Sequence, residues 1–133
     1  MKKKSKFAIA VMTIGMLLGT SAYAATANFE GKLPANQGDT EISTVGRTNK
    51  PDAFKYFNIK ITSLDSEYTS VRAWTEGWTG SNYSNPYNEA ELNVITQIAY
   101  DSVPSKGDNV TLNLDNPVYT SSSVAVKGNW NPN

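Results

Sequence analysis

From Ala25 onward the chain has no long apolar stripe at helical spacing; apolar side chains recur at every second position, in short runs separated by Gly, Pro, Asn and Asp. That alternation sends one face of each run to a core and the other to water, as antiparallel β-strands require. The clearest run is Phe54 to Thr62, with Phe57, Ile59 and Ile61 on one face and Tyr56, Asn58 and Lys60 on the other. After a turn at Pro104 to Asn109, Val110, Leu112 and Leu114 point inward and Thr111 and Asn113 outward. The last run, Val124 to Trp130, sets Val124, Val126, Gly128 and Trp130 against Ala125, Lys127 and Asn129. Near the start, Ala27 to Leu33 forms a strand that stops at Pro34 to Asp39, where proline removes a ladder donor and glycine permits positive φ.

The middle of the chain is less regular. Glu41 to Val45 is a short strand, and Gly46 to Asp52 reads as a polar loop closed by Lys50-Pro51. In Tyr68 to Thr75, Val71 and Ala73 oppose Arg72 and Trp74, so either face could be buried. Glu76 to Asn88 is a Gly-, Ser- and Asn-rich loop that also holds Trp78, Tyr83 and Tyr87. Asn88 with Glu91 could cap a helix, but Leu92, Val94, Thr96, Ile98 and Tyr100 alternate cleanly, and β-branched side chains keep more rotamer freedom in a strand. Glu91 to Tyr100 is therefore expected to be a strand. Six or seven short strands predict an all-β fold, a small antiparallel β-sandwich, because one open sheet would leave an apolar face in water; an irregular barrel is the alternative.

Ahead of this domain, Lys2, Lys3, Lys4 and Lys6 precede an apolar run from Phe7 to Leu18 and the small-x-small site Ala22-Tyr23-Ala24. The run is about a dozen residues, whereas a permanent bilayer span takes ~20, so residues 1–24 read as a signal peptide cleaved before Ala25. The expected product is a single secreted, extracellular domain, residues 25–133, with no permanent membrane anchor. Removing four lysines and no acids leaves eight Lys and Arg against twelve Asp and Glu, a net charge of −4. A mildly acidic chain with scattered charges lacks the basic footprint that nucleic acid or an anionic bilayer demands.

Cysteine and histidine are both absent, so the domain holds together by packing and strand pairing alone. The same absences remove thiol nucleophiles, Cys and His zinc sites and every Ser-His or Cys-His catalytic arrangement. Glu76, Glu89 and Glu91 flank the aromatic loop, and two carboxylates are the minimum for glycoside hydrolysis, but acids beside turns are mostly solvated surface. Asp108-Asn109 and Asp115-Asn116 offer hard oxygen ligands without calcium-loop spacing, and turn formation explains them more simply. Asn82-Tyr83-Ser84 and Asn109-Val110-Thr111 match the N-glycosylation pattern, which has no bearing on a bacterial-type export route. No enzyme activity and no cofactor are expected. The binding candidates are Trp74, Trp78, Tyr83 and Tyr87: exposed rings stack on sugars or wedge among lipid headgroups, whereas buried ones would cap the end of the core.

The two ends of the domain, Phe29-Glu30-Gly31-Lys32-Leu33-Pro34-Ala35-Asn36-Gln37-Gly38 and Ser123-Val124-Ala125-Val126-Lys127-Gly128-Asn129-Trp130-Asn131-Pro132, resemble a group of short secreted Gram-positive proteins of unknown function. By size and export route that group is analogous to the lactococcin-972 class of bacteriocins, secreted cysteine-free β-sandwiches that act on the cell envelope. The resemblance covers the signal peptide and the terminal strands and transfers no site residue. It implies a secreted, non-enzymatic, bacteriocin-like protein binding a cell-wall glycan or lipid-linked precursor. The alternative is an extracellular structural, matrix-type or carbohydrate-binding interaction protein, whose sheet edges would serve self-association.

Overall fold

The computed structural model of the chain describes residues 26–36, 38–65, 67–116 and 120–133; the expected signal peptide and its cleavage site lie outside them. Among the described residues the regular structure is entirely β: β1 (Ala27–Leu33), β2 (Thr40–Gly46), β3 (Tyr56–Leu64), β4 (Ser70–Glu76), β5 (Glu89–Glu91), β6 (Ile95–Ala99), β7 (Asn109–Asp115) and β8 (Val124–Asn131). They form two antiparallel four-stranded sheets, ordered β1-β8-β3-β6 and β2-β7-β4-β5, packed as a sandwich. Each connection from one strand to the next crosses between the sheets, except β4 to β5, which are neighbours and form a hairpin.

The alternating patterns meet between the sheets. Phe57, Ile59 and Ile61 on β3 and Val124, Val126 and Trp130 on β8 face Val110, Leu112 and Leu114 on β7 and Val71 and Ala73 on β4. All are buried, and each fully buried Val, Leu, Ile or Phe side chain contributes about 1.5–3 kcal/mol relative to exposure. Phe57 lies edge-on to Trp130, with ring centroids 6.2 Å apart, and tilts against Tyr100 at 5.6 Å. In β2 the register shifts between Glu41 and Ser43, and Ile42 packs beside Gly31 of β1 at the sandwich edge.

Three segments depart from simple alternation. The segment Glu91 to Tyr100, expected as one strand, holds the last residue of β5 and the whole of β6, which lie on different sheets, since Asn93 adopts φ 63° and turns the chain between them. Asparagine tolerates this left-handed backbone better than most residues, and the alternation of apolar side chains runs on through the break. Second, the polar loop after Gly46 packs around one of its own side chains. Arg47 is buried, donates from Nε to the Asn49 carbonyl at 3.0 Å and from Nη2 to the carbonyls of Lys50 and Phe54, and sits 5.3 Å over the Tyr100 ring. It gathers residues 47–54 into a compact loop by supplying the donors their carbonyls need. Third, in β4 Val71, Ala73 and Thr75 point to the core, and on the opposite face Trp74 is also buried between the half-buried Arg72 and Glu76.

Candidate binding loop

The β4–β5 hairpin carries the aromatic candidates, and its path follows from a short ladder beyond β4. Gly77 N–H donates to the Ser81 carbonyl and Gly80 N–H to the Gly77 carbonyl, each at 3.0 Å, closing a tight turn. Gly80 has φ +81°, the left-handed conformation that glycine adopts without strain. The returning chain bridges Asn82 to Glu76 and then donates Tyr83 N–H to the Thr75 carbonyl at 2.8 Å. Trp78 therefore sits at the tip of a closed turn.

Tyr83 fixes that turn from beneath. Its ring lies against Gly77, where a Cβ would come within 2.8 Å of the phenol and would have to push the ring aside. The Tyr83 hydroxyl reaches Asp108 Oδ2 at 3.5 Å, and the Tyr83 carbonyl accepts from the N–H groups of Asp101 and Ser102. Burial raises the Tyr83 pKa, and the charge and hydrogen bond of Asp108 raise it further, which keeps the phenol protonated as a donor. Ser84 completes the base: its buried hydroxyl accepts from Thr75 N–H at 2.9 Å and pairs with the Thr75 hydroxyl at 3.1 Å.

The four candidate rings therefore have different surroundings. Trp78 is 89% exposed and Tyr87 72% exposed, while Tyr83 is half-buried against the core. Trp74 is only 3% exposed, which corrects the expectation that rings on and beside this loop resist burial: it lies within β4, and its indole N–H finds an acceptor in Glu76 Oε1 at 3.2 Å. Nowhere among the described residues do these four rings stack on one another.

Two polar residues belong to the same surface. Arg72 lies opposite both Asp115 and Glu89 in the strand register and holds its guanidinium 5.4 Å from the centroid of the Tyr87 ring. Glu76 accepts from Trp74. The sequence signal for both was their even-numbered place beside Trp74 on β4, which puts Arg72, Trp74 and Glu76 on one face. Among the carboxylates weighed for catalysis, Glu89 Oε1 accepts from the Ser70 hydroxyl at 3.1 Å, and Glu91 pairs with Ser70 in the register. Two surface depressions, about 450 and 210 Å³, lie along β1, β3 and β8, the larger reaching Ile42 of β2, and neither is lined by any of these glutamates. No cluster of three or more Asp or Glu side chains suited to a metal occurs among the described residues.

Fold and loop together define a cysteine-free β-sandwich that presents one exposed tryptophan on a braced hairpin turn. No family model, curated protein or solved structure matches the chain.

Proposed function

We propose that the chain is a secreted, non-enzymatic, bacteriocin-like protein that binds a component of the bacterial cell envelope through the β4–β5 hairpin. The observation that carries this reading is Trp78, 89% exposed on a turn closed by its own backbone hydrogen bonds and propped by Tyr83. A large apolar ring in water is a cost that a soluble domain usually avoids, and a rigid mount spares a ligand the entropy of ordering it. Tyr87, stacked on Arg72, adds a second exposed aromatic face with a cation beside it. Aromatic rings flanked by amide and hydroxyl groups suit a sugar or a lipid-linked sugar, and Asn82, Asn85 and Ser81 supply such groups on the same hairpin. The sequence resemblance to secreted Gram-positive proteins supports the extracellular setting and the envelope target.

The test is co-sedimentation of the purified chain with isolated Gram-positive cell walls, comparing the native protein with Trp78→Ala. A stacked ring is worth roughly 0.5–1.5 kcal/mol beyond its buried area, so binding should weaken several-fold or more at unchanged thermal stability. Equal binding by the two proteins, or none by either, overturns the reading. A second reading, an extracellular structural protein, is favoured by the exposed Val94 and Ile95 at the edge of one sheet.

A further inference from the structure

The exposed large apolar side chains gather in two places: Trp78 and Tyr87 on the hairpin, and Val94 and Ile95, 45% and 68% exposed, at the start of β6. The second group adjoins an unpaired sheet edge. β6 closes one side of its sheet and pairs only with β3.

An outer strand offers a row of backbone donors and acceptors to any other strand, and soluble proteins blunt such edges with charge, proline, bulges or shortness. The other three outer strands of this sandwich are blunted. β1 carries Glu30 and Lys32. β2 carries Glu41 and a register shift beside it. β5 is three residues long, and two of them are glutamates. β6 is Ile95-Thr96-Gln97-Ile98-Ala99, without charge, proline, glycine or a register shift against β3.

We propose that β6 is the docking edge for a second copy of this chain, two β6 strands pairing antiparallel about a two-fold axis at Gln97. The β1-β8-β3-β6 sheets of the two copies then join into one continuous sheet. Among antiparallel registers, the one that sets Gln97 opposite its own copy is the one that pairs all five residues of the strand. In that register exposed Ile95 meets Ala99 of the copy, large against small, and Thr96 meets Ile98 on the core side. The two Gln97 amides, each both donor and acceptor, pair with each other. Self-pairing sets the central residue opposite its own copy and each flanking residue opposite its mirror position, so a strand used this way must carry no like charges at its centre or at mirrored positions. β6 meets that condition; β1 has Glu30 at its centre, β5 would set Glu89 against Glu91 of the copy, and β2 is interrupted by the register shift between Glu41 and Ser43. The inference goes beyond the hairpin and stands even if the hairpin binds nothing.

The experiment is sedimentation equilibrium of the purified chain over a wide concentration range, with Gln97→Lys and Gln97→Glu measured alone and mixed. Gln97 is exposed, so both variants should keep the native circular dichroism spectrum and thermal midpoint. The native chain should approach twice the monomer mass, each variant alone should remain monomeric, and the equimolar mixture should recover the dimer because opposite charges now face each other. A native chain that stays monomeric overturns the proposal, even if its edge accepts an extended peptide of another protein. So does a dimer that both single variants retain. Should either variant misfold, Ile95→Lys at the exposed rim of the same strand must give the monomer; a persistent dimer overturns the proposal equally.

Discussion

The indole Nε1 of Trp130 donates a 2.8 Å hydrogen bond to the Ser43 hydroxyl, joining β8 of one sheet to β2 of the other through the core. Both residues are buried, so no water can replace either partner. Ser43→Ala should therefore leave the indole N–H unsatisfied and cost about 1–3 kcal/mol in urea unfolding. In a double-mutant cycle with Trp130→Phe, the second loss should be smaller once the first partner is gone. Strictly additive losses would show that the bond does not couple the sheets.

Gly128 lies where β8 runs between β1 and β3, opposite Phe29 on one side and Ile61 on the other. A Cβ there would overlap the Lys60 carbonyl and come within 2.6 Å of Phe29 Cζ. The backbone oxygen cannot move without breaking the ladder. Gly128→Ala should accordingly destabilise the domain by about 3 kcal/mol or more, at the upper end for overpacking, and Gly128→Ala with Phe29→Leu should recover only part of it. Wild-type stability in the single variant would mean that the sheet flexes more than its register indicates.

How much of this was legible beforehand depends on where alternation had something to report. β3 and β8 were readable because Phe57 and Val126 each sit in an inward–outward pattern fixed by burial on one face, and β7 was readable from Val110, Leu112 and Leu114, although Asn113, expected to face outward, is buried as well. The split between β5 and β6 was not, since one asparagine at positive φ changes the path without changing the order of apolar residues. The burial of Arg47 was equally hidden: its partners are backbone carbonyls and the distant Tyr100 ring, none of which leaves a mark in composition. At the hairpin, the exposure of Trp78 between two glycines could be anticipated from turn chemistry, while Trp74 depended on which side of β4 packed and could not.

Tyr100 is buried, and its hydroxyl donates to the Pro132 carbonyl at 2.7 Å. Burial drives its pKa far above the ordinary tyrosine value; Arg47 opposes that rise and Tyr83 adds to it. Below about pH 10 the phenol is protonated folded and unfolded, and its contribution to stability is complete. Above that range the unfolded chain ionises first, so stability falls as the pH climbs toward the higher folded value. Chemical denaturation at about pH 9 and about pH 11 should show a smaller loss for Tyr100→Phe than for the native chain. Equal losses would place the alkaline sensitivity elsewhere.

Of the three tryptophans, Trp74 and Trp130 are buried and Trp78 is almost fully exposed. An ionic quencher such as iodide enters water-accessible sites but not a packed interior, so it should remove only the red-shifted part of the emission. In Trp78→Phe that accessible part should vanish, leaving blue-shifted emission that iodide barely affects. Because Trp78 makes no buried contact, the substitution should change unfolding stability by no more than about 0.5 kcal/mol. Quenching and stability then report on separate things: a quenchable fraction that survives in Trp78→Phe would mean that Trp74 or Trp130 opens to solvent, whereas a large loss of stability would mean that the Trp78 ring is part of what holds the hairpin closed.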